Sequence, residues 1–182
     1  MSDEQIQTPG TDAENLDPAE VDLSGGPGLE SVDLVHLELG RSFLVGPHPD
    51  EDRIRLKWYR RSEDGALVGR IWFGPGAQGP PGHAHGGSIA AVLDEAMGSA
   101  CWIAGRPVVA GEITTSFKQM LPLGQTYTAE AWIDDIDGRK IMPVGRLVGP
   151  DGEVYATGSG IFVRLDPGRF ESLAEAAGTE SR

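Results

Sequence analysis

Cysteine is nearly missing from this 182-residue chain. Cys101 stands alone, which excludes an intramolecular disulfide and a thiolate-rich metal site and fits a reducing compartment. Long apolar runs are missing as well. No stretch approaches the ~20 apolar residues that cross a bilayer, and the acidic start lacks the layout of a secretory signal, so a cytoplasmic protein without membrane contact is expected. Positive charge is scarce: 15 Lys and Arg face 28 Asp and Glu, for a net −13. Without a basic stripe to displace phosphate counterions, nucleic-acid binding is excluded. Histidine is limited to four positions. His83 and His85 form an H-x-H pair, but His36 and His48 stand at no usable ligand spacing, so no metal site is expected.

The charge is unevenly placed. Met1 to Gly40 holds ten acids and no Lys or Arg, while the remainder is nearly balanced, with 18 acidic and 15 basic residues. Residues 1–29 read as an acidic, disordered leader whose scattered apolar positions cannot offset ordering entropy. Residues 30–166 read as one domain, and 167–182 as a short tail. Ile54, Leu56 and Trp58 alternate with polar neighbours, as in a strand with one wet face. A second strand follows at Leu67 to Phe73, with Asp64-Gly65 as its hairpin turn. The Gly74 to Gly82 loop lacks a following Gly-Lys-Ser/Thr, so it is no P-loop. Gly86 to Ala104 reads as the one long helix, apolar on almost every side. Period two then resumes, with Val109, Gly111, Ile113, Thr115 and Phe117 on one face. Three further strands, Thr126 to Asp135, Lys140 to Val148 and Glu153 to Leu165, are joined by Asp137-Gly138 and Asp151-Gly152 turns. The fold class is α+β, an antiparallel sheet curled around one central helix.

The chemistry gathers at the helix start. Amides of Gly86 and Gly87 lack intrahelical acceptors, and at the positive end of the helix dipole they form a potential oxyanion site. At about 100° per residue, Asp94 shares a side with Gly87, Ala90, Ala91, Gly98 and Cys101, a face of small residues. Glu95 falls instead with Ser88, Ser99 and Trp102. Two readings fit Asp94: a base or nucleophile acting on a carbonyl held by the glycine amides, or a structural acid bonded across an interface. His85 contacts a ligand or fixes the loop. Ser88 is outside any G-x-S-x-G elbow, and Cys101 reads as a small core residue.

His85-Gly86-Gly87, Asp94 seven positions beyond Gly87, Phe117-Lys118-x-x-Leu121-Pro122-Leu123-Gly124 and Gly138-Arg139-Lys140 together resemble the hotdog-fold acyl-CoA thioesterases of the PaaI type. The resemblance spans about Arg53 to Leu165. It implies a homodimer, or a dimer of dimers, joined edge to edge through the sheets, with sites at the interface. It also implies that the amides after His85 hold the thioester carbonyl while Asp94 of the other chain activates water or attacks. Lys118, Arg139 and Lys140 become candidates for the CoA phosphates, or else form an ordinary charged surface. No cofactor is implied, since CoA is part of the substrate. Family members carry Thr or Ser sixteen positions beyond the acid, where this chain has Ala110. Thr114, Ser99 or a bound water are the candidate substitutes. Trp58, Trp72 and Trp102 are available as pocket walls. The leading reading is hydrolysis of an acyl-CoA, or of an acyl-carrier-protein thioester; a non-catalytic acyl-CoA binding or sensing protein on the same fold is the competing reading, and a hotdog dehydratase is disfavoured by the motif order.

Overall fold

The computed structural model describes residues 21–34, 44, 52–166, 168 and 172. Seven strands form one antiparallel sheet in the order β1-β2-β3-β5-β6-β7-β4. They are β1 Leu29–Ser31, β2 Ile54–Arg61, β3 Leu67–Phe73, β4 Val108–Phe117, β5 Thr126–Asp137, β6 Lys140–Val148 and β7 Val154–Arg164. One long helix, α1 Gly86–Ile103, precedes β4. The three Asp-Gly turns sit where the sequence puts them, with Gly65, Gly138 and Gly152 at φ of 74°, 58° and 83°, a backbone region open to glycine.

Register fixes the two faces, because cross-strand partners lie on the same side of a sheet. Leu56, Ile71 and Tyr127 are aligned on the side facing α1, and Lys57, Arg70 and Thr128 on the outer side. The inner side closes on Ile89, Val92, Leu93, Ala96, Met97 and Ala100 of the helix to form the core. Two glycines on β6 and β7 let the helix side chains come close to the sheet. A Cβ added at Gly145 would stand 3.4 Å from Met97, and one at Gly158 only 3.2 Å from it. Leu93, 0% exposed, fills the same contact. Leu93→Ala is therefore expected to cost about 2–5 kcal/mol in urea unfolding, and a change below 1 kcal/mol would mean the site collapses around the gap.

On the outer side Glu130 is 8% exposed and accepts from Arg61 and Arg146, both at 2.5 Å. Burial alone would raise its carboxyl, but these two guanidinium bonds outweigh that and lower it. The three residues tie β2, β5 and β6 across the sheet.

Three expectations need correction. Part of the residue 1–29 leader joins the domain: the Tyr59 hydroxyl donates to the Leu23 carbonyl at 2.7 Å, and β1 begins at Leu29 to pair with β2. Residues 1–20 lie outside the described residues, as do 35–43 and most of 167–182. Second, α1 is not wrapped on every side, for Ala90, Ala91, Asp94 and Gly98 stay half-exposed. Third, β4 does not keep one alternation. A register shift between Ala110 and Glu112 inserts an extra residue at Gly111, as a β-bulge does. Val108 and Ala110 then face inward with Arg164 and Phe162, and Ile113, Thr115 and Phe117 continue that side opposite Gly160, Gly158 and Ala156. Val109 is thrown to the other face, 49% exposed.

Candidate functional site

The start of α1 is held from two directions. The His85 N–H donates to the Ala77 carbonyl at 2.8 Å, and the Ala84 N–H donates to Leu121 at 2.8 Å. His83 bridges to Pro122. The loop before the helix and the segment after β4 thus fix the backbone of the H-G-G motif.

His85 is the N-cap, with φ −65° and ψ 138°. Its carbonyl accepts from the Ser88 and Ile89 amides, and its ring Nδ1 accepts from the Gly87 N–H at 2.9 Å. The two glycine amides are thereby divided. Gly87 has a side-chain acceptor, whereas no described residue accepts from the Gly86 N–H. A Cβ on Gly86 would stand 3.2 Å from Cζ of Phe117, a ring 53% exposed. Sequence reasoning did not single out this contact, because the two residues come from distant segments.

Asp94 lies two turns along the helix on the half-open stripe with Gly87, Ala90, Ala91 and Gly98, as its spacing implied. Cys101 is buried, as a small core residue should be, and Ser99, placed with Glu95 on the polar edge, is buried too. Burial raises the Asp94 carboxyl, and among the described residues no donor or cation offsets that. Burial likewise pushes the Cys101 thiol up to about 11, against a small opposing effect of Arg106, so it stays protonated and unreactive. Eight residues at 1.5 Å rise put Asp94 about 12 Å along the axis from Gly86. One carbonyl cannot touch both groups of the same chain.

The cations are also separated. Lys118 follows the Phe117 end of β4, near Gly86. Arg139 sits at the other end of the sheet, where its amide oxygen accepts from the Arg164 N–H and Arg164 pairs with Val108. A ten-residue strand is about 30 Å long, so Lys118 does not meet Arg139 and Lys140 within one protomer. Arg139 further donates to the Arg164 carbonyl at 3.2 Å and pairs with Asp166 at 3.3 Å. Both Lys118 and Lys140 are exposed.

Ala110 shares the helix-facing side with Phe162 by register but is exposed, and it has no hydroxyl to offer. Of the expected substitutes, Thr114 is aligned with Ser159 on the outer face and Ser99 is buried on another side of the helix. The hydroxyl that faces inward beyond the bulge is Thr115, which a strict period of two placed on the same face as Val109. Trp58 and Trp72 are buried in the fold, on opposite faces of the sheet, rather than lining an opening. Trp102 donates to the Val108 carbonyl at 3.3 Å and closes the helix end. The described residues hold no cluster of three metal-ligating side chains, and no described helix is long and apolar enough to cross a membrane.

Comparison with known proteins gives consistent matches. Residues 81–154 match the model of the thioesterase superfamily. The human acyl-coenzyme A thioesterase THEM5 is 33% identical over 96 residues, covering 51% of this chain and 39% of that protein. The chain thus spans less than half the length of this curated relative. A Bacillus halodurans protein solved with CoA is 29% identical, covers 60% of this chain and 73% of its own, and superposes with a TM-score of 0.53. The Escherichia coli PaaI protein, at 21% identity, shares the fold with a TM-score of 0.55 over 62% of this chain and 80% of its own.

Proposed function

With residues 81–154 belonging to the thioesterase superfamily and the chain folded as a hotdog, we propose that the protein hydrolyses acyl-CoA thioesters at a site shared by two copies. The observation that carries this reading is the pairing of two unsatisfied groups on one helix. Among the described residues the Gly86 N–H has no acceptor, and the half-buried Asp94 carboxylate has no donor. Their separation along α1 calls for a second chain, and β4 supplies the means: a ten-residue edge strand whose outer side no described residue pairs with, an arrangement proteins seldom leave uncovered. A second β4 running antiparallel extends the sheet. It also brings the Val108 end of one copy beside the Phe117 end of the other. The Arg139-Lys140 turn of the second copy then approaches Lys118, which groups the cations for the CoA phosphates.

The Gly86 amide holds the thioester oxygen, and Asp94 of the second copy takes a proton from water as the water oxygen bonds to the carbonyl carbon. The oxyanion is held where charge develops. Its collapse breaks the C–S bond, leaving a carboxylic acid and CoA as thiolate, which takes up the proton. Direct attack by Asp94, through a mixed anhydride that water then opens, is the alternative course on the same groups. Neither course needs a cofactor, and a substrate from the soluble CoA pool fits a cytoplasmic enzyme.

Ala110 favours a second reading, an acyl-CoA binding protein that does not cleave. Thiol release measured over a panel of short, long and aromatic acyl-CoAs separates the two. Turnover that saturates with one acyl class supports hydrolysis, whereas saturable binding with no thiol from any member overturns it.

A further inference from the structure

Resting on the thioesterase reading, we infer that His85 is a positioning residue: its neutral ring caps the Gly87 amide and so reserves the Gly86 N–H as the single amide donor for the thioester oxygen. The N-cap position favours Asn, Asp, Ser and Thr, whose short side chains accept from the second or third helical amide. A histidine there departs from the local rule, and such departures concentrate at functional sites. Here the departure is built in. The ring Nδ1 takes the Gly87 N–H at 2.9 Å, so that nitrogen carries no proton and the ring proton sits on Nε2.

Two glycines make room for the ring. A Cβ on Gly79 would stand 2.8 Å from the His85 Cα and 3.2 Å from ring Cδ2, and one on Gly87 would stand 2.9 Å from Nδ1. Gly79 is itself pinned by its N–H to the His83 carbonyl at 2.9 Å. The two glycines of H-G-G thus have different reasons. Gly87 is small because the His85 ring lies against it; Gly86 is small because a Cβ there would meet the Phe117 ring.

The test uses His85→Asn, whose Oδ1 restores the cap, beside His85→Ala, which removes it, and Gly79→Ala, which displaces the ring without replacing it. In the full chain, His85→Asn is expected to keep kcat within about threefold of wild type, while His85→Ala and Gly79→Ala lower it by about five- to tenfold or more, the size of a lost cap. KM should stay within about twofold in all three, because the oxyanion contact forms in the transition state. Long-range 15N–1H spectra of the wild-type ring should show the proton on Nε2. If His85→Asn loses as much kcat as His85→Ala, the ring itself touches the substrate and the positioning role is overturned. A proton found on Nδ1 overturns the cap directly. That spectrum needs no turnover, so it separates failure of the cap from failure of the thioesterase reading, which an inactive wild-type protein would signal.

Discussion

Asp94→Asn is expected to lower kcat for thioester cleavage by about 10²- to 10⁴-fold, the range for a positioned general base, with KM nearly unchanged. The amide keeps the size of the carboxyl and loses its basicity. The same substitution is expected to raise stability at neutral pH. Burial raises the Asp94 carboxyl in the folded chain, so the native state binds its proton more tightly than the unfolded chain does. The favourable contribution is therefore present in acid, below the unfolded value, and is lost as pH rises through the raised native value. At neutral pH the ionised group opposes folding, and Asn removes that cost. Thermal unfolding across pH should show the variant melting above wild type at pH 7, with the difference closing in acid. A variant that loses both activity and melting temperature at pH 7 would make Asp94 a structural acid. The acid limb of kcat/KM should also lie above the ordinary aspartate range.

Gly86→Pro is expected to reduce kcat by about 10²- to 10³-fold, as when one oxyanion donor is removed, while the fold survives. Gly86 is the first helical residue, the one place in a helix where proline is welcome. His85, at ψ 138°, already has the extended conformation that the residue before proline adopts. The substitution deletes one N–H and requires only that the half-exposed Phe117 ring tilt away. Circular dichroism checks the helix and thiol release checks the chemistry. Near-wild-type turnover would move the oxyanion donor elsewhere.

Combined, the two variants test where the site is assembled. Each homodimer is inactive, but a mixed dimer carries both lesions at one site and none at the other. Random reassociation gives about a quarter of the wild-type sites. Recovery near that level requires Asp94 of one chain to serve Gly86 of the other; no recovery would put both groups at a site within one chain.

What the sequence disclosed divides along physical lines. Asp-Gly pairs announced the hairpins because their backbone demand is local. The 100° step placed Asp94 on a stripe of small residues because helix geometry is regular. The bulge at Gly111 left no such mark: one inserted residue reverses the facing of everything before or after it, so a strict period of two put Val109 with Thr115 and Ala110 with Thr114, pairs that the structure separates. The division between the Gly86 and Gly87 amides was hidden too, since it depends on which way one imidazole turns. The Phe117 contact depends on tertiary packing, and β1 is three residues long, too short to announce a period.

The position of β4 at the edge of the sheet has a measurable consequence of its own. Among the described residues β4 has a neighbour, β7, on one side only, so about half of its backbone amides in a lone chain have no described strand to bond. Those amides exchange hydrogen at close to free-peptide rates, while their neighbours bonded to β7 are slowed by the opening free energy of the sheet. Pairing with a second β4 converts the fast set into a slow one. Exchange in this single strand, followed as the protein is diluted, therefore times assembly without any substrate present.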